Sequence, residues 1–427
     1  MHTSSSFSSQ ADRDTRPVRR PQRQQVSHRV GFWFAAVGFT VLMAFGTAPT
    51  PLWPLYQARD GFGSTTTTVA FAMLVVGAAA GFLTLGHLSD RFGRRRIVVP
   101  ALLVAIVAAL ELALWPDLPG LLIGRFLDGI GVGLMGSTAT SYLHDLHHQE
   151  HPERQSSSLP GVISTAATLG GLALGPLAAG VLSQWGPSPL ITTQMTFAVA
   201  MSVCLVLALA TPETVDRNAQ VRPSRFSLMP GGTAAFASGA ALGFFSFAIL
   251  GLISAMGASM LHSKLGIFSP FIAGLAPFLM FGCAAAGLVL FWRLSLFKML
   301  ASGAAVFPIG LALVSLSLVH PVLWLYLVAC SIAGLGAGAL FKGGIGTAGT
   351  VASPKSRAGV LAVFFVLSYA GMGLPPILFS MALQRWTIET TMIVFAIVLS
   401  VSAAVAVAAA LLADIRNAHL AVHEDRL

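Results

Sequence analysis

Charge is scarce in this chain. Only 10% of its 427 residues are Asp, Glu, Lys or Arg, against 55% that are hydrophobic, and the mean hydropathy is +0.78. No water-soluble domain of this size carries that balance. Cysteine is equally sparse: Cys204, Cys283 and Cys330 each lie inside an apolar run, without metal or redox spacing, so they are expected to pack and not to form disulfides. Ten-residue segments of alternating polarity are missing, which argues against a β-barrel, because the apolar stretches are long, continuous and rich in Gly and Ala. The first 30 residues have no apolar core of their own, so they read as a disordered basic tail and not as a cleavable signal peptide.

What is present is a series of apolar runs long enough to span about 30 Å at about 1.5 Å per residue. Twelve are expected, near 31–57, 66–88, 97–116, 119–143, 157–183, 189–210, 231–261, 269–292, 299–318, 321–342, 358–383 and 390–413. The fold class is therefore an all-α membrane protein with 12 transmembrane helices. With the N-terminus in the cytoplasm, 21 of the 25 Lys and Arg fall on that side, Arg59, Lys264 and Arg385 fall in outer loops, and Arg125 lies within a span. That bias predicts both termini inside. The net charge of +9 is then an orientation signal and does not point to nucleic acid. The connection at 211–228 falls near mid-chain, giving a basic N-tail 1–30, a six-span half 31–210, a cytoplasmic linker 211–228, a second half 229–413 and a C-tail 414–427.

Three stretches carry more than hydropathy. Between the second and third runs stands Gly86-His87-Leu88-Ser89-Asp90-Arg91-Phe92-Gly93-Arg94-Arg95-Arg96, whose five ionised side chains must meet water at a membrane face. Gly86 suits close helix approach and Gly93 a positive φ; an orientation signal explains the arginines but not the placing of both glycines and the aspartate. In the fourth run, Arg125 and Asp128 stand one turn apart, ahead of Gly129 and Gly133. Either charge at depth costs on the order of 2.5–3.5 kcal/mol on insertion scales, so each should face a partner or a wet cavity. The fifth run holds Gly171, Gly175, Pro176 and Gly180, small residues at helical spacing with a bend.

The first stretch, G-x-x-x-D-R-x-G-R-R, resembles the signature loop between helices 2 and 3 of the major facilitator superfamily of secondary transporters, with Gly86, Asp90, Arg91, Gly93, Arg94 and Arg95 in the motif positions. The pattern from Arg125 to Gly133 resembles the superfamily's second motif, whose arginine is associated with proton coupling; Asp128 stands where the family usually has a neutral polar residue. The fifth run resembles the motif of the drug:proton antiporter branch, with Ala179 replacing one glycine. Pro212-Glu213-Thr214 is similar to the family's ending of helix 6. The resemblance rests on specific motifs in the first half and on topology alone in the second.

It implies two six-helix halves with pseudo-two-fold symmetry, an inner gate at Asp90 and its arginines, and proton-driven efflux of small organic or drug-like compounds. The implied partners are a small-molecule substrate, protons and the bilayer, with the protein working as a monomer in the cell (inner) membrane and needing no cofactor. Uptake of a metabolite by proton symport stays open, as does a non-transporting sensor. Asp128 is either the proton carrier or half of a structural ion pair, and Glu111, near the outer end of the third run, either joins the coupling or snorkels to water.

Breaks at Pro49, Pro51, Pro54 and Pro375-Pro376 mark spans that would line a central cavity, with Trp33, Thr47, Thr50, Phe244, Phe245 and Tyr369 as candidate lining residues. His144-Asp145-Leu146-His147-His148 matches one histidine box of membrane di-iron desaturases. Such enzymes need several boxes, whereas the remaining histidines are scattered, so a solvated loop is expected there, with no metal site and no enzyme.

Overall fold

A computed structural model describes residues 26–85, 92–153, 157–215, 226–291, 294–353 and 356–424. Twelve helices in it are long and apolar enough to cross a membrane: α1 His28–Asp60, α2 Ser64–Leu83, α3 Arg95–Leu114, α4 Leu118–Glu150, α5 Leu159–Trp185, α6 Pro189–Ala210, α7 Thr233–Leu265, α8 Pro270–Leu290, α9 Leu296–Val319, α10 Leu323–Thr350, α11 Gly359–Ala382 and α12 Ile388–Arg416. Among the described residues there is no strand, only an isolated bridge between Leu228 and Ala352.

Several helices outrun the apolar runs that announced them. α4 has 33 residues, about 50 Å at about 1.5 Å per residue, and so extends well past a hydrocarbon core of about 30 Å. The histidine-rich stretch is therefore helix and not the expected loop: hydropathy falls after residue 143, but nothing there breaks a helix. His144 and His148 stack at 4.4 Å, and His147 is buried beside Phe32. α10 likewise continues to Thr350, so Lys342 sits inside the helix, donating to the Leu288 carbonyl at 2.7 Å near the end of α8. α1 does the reverse and breaks, as its prolines require. A helix from His28 to Thr47 gives way to a 3₁₀ turn at Thr50–Leu52 and resumes at Trp53–Asp60. Pro49, Pro51 and Pro54 lack the N–H groups that the carbonyls four residues earlier would have used.

Glycine seams set the packing. α2 and α4 cross with Gly77 and Gly81 against Gly129 and Gly133, so closely that a Cβ on Gly129 would strike the Leu74 carbonyl and one on Gly133 the Ala78 carbonyl. The crossing of α8 with α10 repeats it, Gly334 on the Met280 carbonyl and Gly338 on that of Ala284. α1–α6 pack mainly on one another, α7–α12 likewise, and the two sets meet chiefly where α5 lies on α8 and α2 on α11. The repeated seam is the local form of a two-fold relation between six-helix halves.

Candidate functional site

Arg125 follows the start of α4 by seven residues and Asp128 by ten, which places them about 10 and 15 Å from that end of the helix. Both side chains are fully buried. Arg125 donates one N–H to Asp128 Oδ2 at 2.7 Å and another to the Gly46 carbonyl at 2.8 Å, a group at the broken part of α1. The guanidinium also lies 6.0 Å from the Trp53 ring centre. Trp53 Nε1 in turn donates to the Ser254 carbonyl of α7 at 3.2 Å. One buried charge pair is thus connected, through an indole, to the other half. Asp128 Oδ1 and Arg125 Nε have no hydrogen-bond partner among the described residues, so the pair holds capacity for one more polar contact.

Glu111 does not snorkel. Its carboxylate turns against α4, where Gly120 and Gly124 leave room for it, and both oxygens are shielded without a hydrogen-bond partner among the described residues. A Cβ at Gly124 would occupy its place.

The residues singled out on the fifth run divide between two tasks. Gly171 and Gly175 let α5 approach α1 at the carbonyls of Thr40 and Ala44, while Gly180 lies on the Pro270 carbonyl of α8 and Gly274 of α8 on that of Pro176. Thr47 Oγ1 donates to the Leu172 carbonyl at 2.8 Å, so it ties α1 to α5 and does not line a cavity. Thr50 is buried with its hydroxyl unpartnered among the described residues, whereas Trp33 is 51% exposed on the outer wall of α1. Phe244 and Phe245 are half-buried, with the Phe244 carbonyl against Gly371. Tyr369 is buried in an aromatic cluster that the sequence reading largely missed. Phe82 of α2 stacks on Phe365 of α11 at 5.7 Å and 5°, Tyr369 lies 5.6 Å from both Phe82 and Phe247, and Phe341 joins Phe247 at 4.9 Å. Phe82 and Phe365 carry no sequence signal beyond an apolar run. Thr68 Oγ1 and Ser380 Oγ, 2.9 Å apart, pin α2 to α11 nearer their far ends.

Of the loop residues, Gly86, Asp90 and Arg91 lie outside the described residues. Gly93 takes φ +111°, as anticipated, and the Glu213 carboxylate sits where its Cβ would be. The Arg94 amide donates to Glu213 Oε1 at 2.7 Å and its Nε to Asp145 Oδ2 at 3.0 Å. Arg95 donates to the Thr211 carbonyl at 2.9 Å and Tyr142 to that of Pro212 at 2.6 Å. The end of α6, the histidine-rich end of α4 and the loop are one polar cluster. Asp145 and Glu213 were missed as partners because 51 and 119 residues of chain separate them from Arg94.

A family model described as the Major Facilitator Superfamily matches residues 34–332. The chain is 27% identical over 168 residues to the multidrug resistance protein MdtL of Escherichia coli, 38% of this chain and 42% of that protein. It is 35% identical over 75 residues to the arabinose-proton symporter of Bacillus subtilis, 18% of this chain and 16% of that one. These alignments span less than half the length of either relative. The solved structure of the nucleoside transporter NupG superposes with a TM-score of 0.64 at 15% identity, covering 89% of this chain and 98% of that one, a likeness of fold.

Proposed function

Because the chain belongs to the Major Facilitator Superfamily, a family of transporters and not of enzymes, we propose that it is a proton-driven exporter of small organic or drug-like compounds, working by alternating access. The observation that carries this reading is the Arg125–Asp128 pair, fully buried, at mid-membrane depth and connected through Trp53 to α7. A protonatable carboxylate whose only strong partner is a guanidinium can exchange that partner for a proton, and the exchange releases Arg125 and the α1 carbonyl it holds. Rocking of the halves 31–210 and 229–413 about the central aromatic cluster is the response. Asp90 and its arginines close the inner face, with the linker 211–228 joining the halves. Export is favoured by Gly171, Gly175, Pro176 and Gly180 and by the partial likeness to MdtL. Both termini lie in the cytoplasm under this reading, consistent with the arginine bias, and the cell membrane holds the protein as a monomer.

The likeness to an arabinose-proton symporter supports a second reading, uptake of a metabolite with protons. Proteoliposomes with an imposed pH gradient separate the two: lumenal pH is recorded as lipophilic cations, neutral drugs, sugars and organic acids are added, for wild type beside Asp128→Asn. Proton movement against the solute, lost in the variant, is expected. Movement in the solute's direction establishes symport, and coupling that survives Asp128→Asn removes the proton from α4.

A further inference from the structure

Unpartnered buried polar groups are not scattered evenly through the first half. Eight such atoms, on α1, α3, α4 and α6, stand between the Arg125–Asp128 pair and the far face, while others, at Thr138, His148 and Glu213, lie toward the opposite face. Tyr56 stands four residues before the end of α1, Glu111 three before the end of α3, and Gln194 five after the start of α6. At about 1.5 Å per residue these are depths of about 6, 4 and 8 Å, with Arg125 at about 10 and Asp128 at about 15 Å. Tyr56, Gln194 and Thr193 are fully buried. The Tyr56 hydroxyl, both ends of the Gln194 amide, the Thr193 hydroxyl and both Glu111 oxygens lack hydrogen-bond partners among the described residues, as do Arg125 Nε and Asp128 Oδ1. Tyr56 faces the Gln194 amide without hydrogen-bonding geometry, and lies within electrostatic reach of Arg125, Arg59 and Glu111.

Buried polar atoms without partners are expensive, and eight of them in one half-membrane column are not a packing accident. Each is a donor or acceptor that a water molecule can satisfy. The seat of Glu111 is built for a carboxylate, since Gly120 and Gly124 leave the hollow it fills. At the mouth of the column Arg59 pairs with Asp117 at 3.0 Å and with Asp60 at 3.5 Å, so charges and water are available there. From the opposite half, Tyr369 of α11 is an ionisable group within reach of Asp128.

We propose that Glu111, Tyr56 and Gln194 form a hydrated proton path inside the first half, from the far face to Asp128, separate from the route a substrate takes between the halves. Resting on Asp128 as the coupling carboxylate, it adds a residue order: Glu111 exchanges protons with bulk water, Tyr56 and Gln194 hold the connecting waters, and Asp128 receives the proton. The solute and the proton then reach mid-membrane by different routes, so blocking one leaves the other open.

Infrared spectroscopy of the full chain in lipid bilayers, without any substrate, tests it. Protonated-carboxyl bands are assigned by their loss in Asp128→Asn and in Glu111→Gln, and the shift of the Asp128 band is timed after a switch to heavy water. Exchange at Asp128 should slow in Glu111→Gln, Tyr56→Phe and Gln194→Leu, by about a hundredfold in Glu111→Gln, the low end of what a positioned proton-transfer group contributes. Glu111→Asp should recover most of the rate, and Tyr142→Phe at the other end of α4 should not change it. If Asp128 titrates but exchanges at the wild-type rate in all three variants, the path is wrong while the coupling reading stands. An Asp128 band that never appears across the pH range overturns the coupling reading, and the path with it.

Discussion

Removing one member of the Arg125–Asp128 pair should cost more than removing both. Arg125 makes two short hydrogen bonds, to Asp128 and to the Gly46 carbonyl, and neither charged side chain touches solvent. Asp128→Leu leaves the buried guanidinium with one carbonyl and an indole face, and Arg125→Met leaves the buried carboxylate without its guanidinium. An uncompensated buried charge costs about 3–5 kcal/mol, whereas apolar replacement of both partners is close to neutral. The double variant should therefore lose less stability than either single one. Full-length protein in detergent, heated in steps and scored for the monodisperse fraction by size-exclusion chromatography, gives the order directly. Losses that add, with the double variant least stable, would refute the view that the pair is held together by mutual neutralisation. Activity should vanish in all three, so a stable but inactive double variant separates the pair's work in transport from its part in folding.

Trp53→Phe keeps an aromatic face over Arg125 but removes the donor to Ser254, a loss of about 0.5–1.5 kcal/mol that falls on the α1–α7 contact; distances between spin labels on the two halves should broaden. Gly129→Leu drives side-chain atoms into the Leu74 carbonyl and should abolish folded yield, whereas Gly170→Leu, at a position with open space around its Cβ, should be tolerated in expression trials. Phe82→Ala removes the stack on Phe365 that joins α2 to α11. With about 3–5 kcal/mol at stake, the halves should separate at lower denaturant as judged by proteolysis. Tyr142→Phe loses the hydrogen bond to Pro212 and should cost about 1 kcal/mol in thermal stability.

How far the chain could be read depended on the range of the interaction. Twelve spans followed from apolar length alone, and the break in α1 from three prolines within six residues. The depth of Arg125 and Asp128 followed from their place in an apolar run, while their i, i+3 spacing left an ion pair and a wet cavity both open until the structure paired them. Helix ends at Glu150 and Thr350 were misjudged because hydropathy reports where the bilayer stops, not where helical hydrogen bonding stops. Thr47 was assigned to a cavity on polarity, but its acceptor at Leu172 lies on another helix, and Trp33 was assigned on aromaticity although it faces outward. Gln194 was legible in principle: an amide five residues into an apolar run needs a reason to be there. Gly77 and Gly81 stand at the same four-residue step as Gly129 and Gly133, so the counterpart of that seam is legible in the second run.

The seam that α4 makes with α2 and the one that α10 makes with α8 are copies in backbone but not in chemistry. Four residues and one residue before the first glycine of the α4 seam stand Arg125 and Asp128; at the same steps before Gly334 stand Cys330 and Ala333, both fully buried. The molecule is thus a balance with a weight on one arm. Anything that alters the charge on α4 acts on a single repeat, and it reaches the other through contacts that include an indole, a stacked ring, two hydroxyls and the glycine seam of α5 on α8. A two-fold frame with one-sided chemistry has two unequal arms, so a change of charge on one arm tilts the pair instead of acting on both alike.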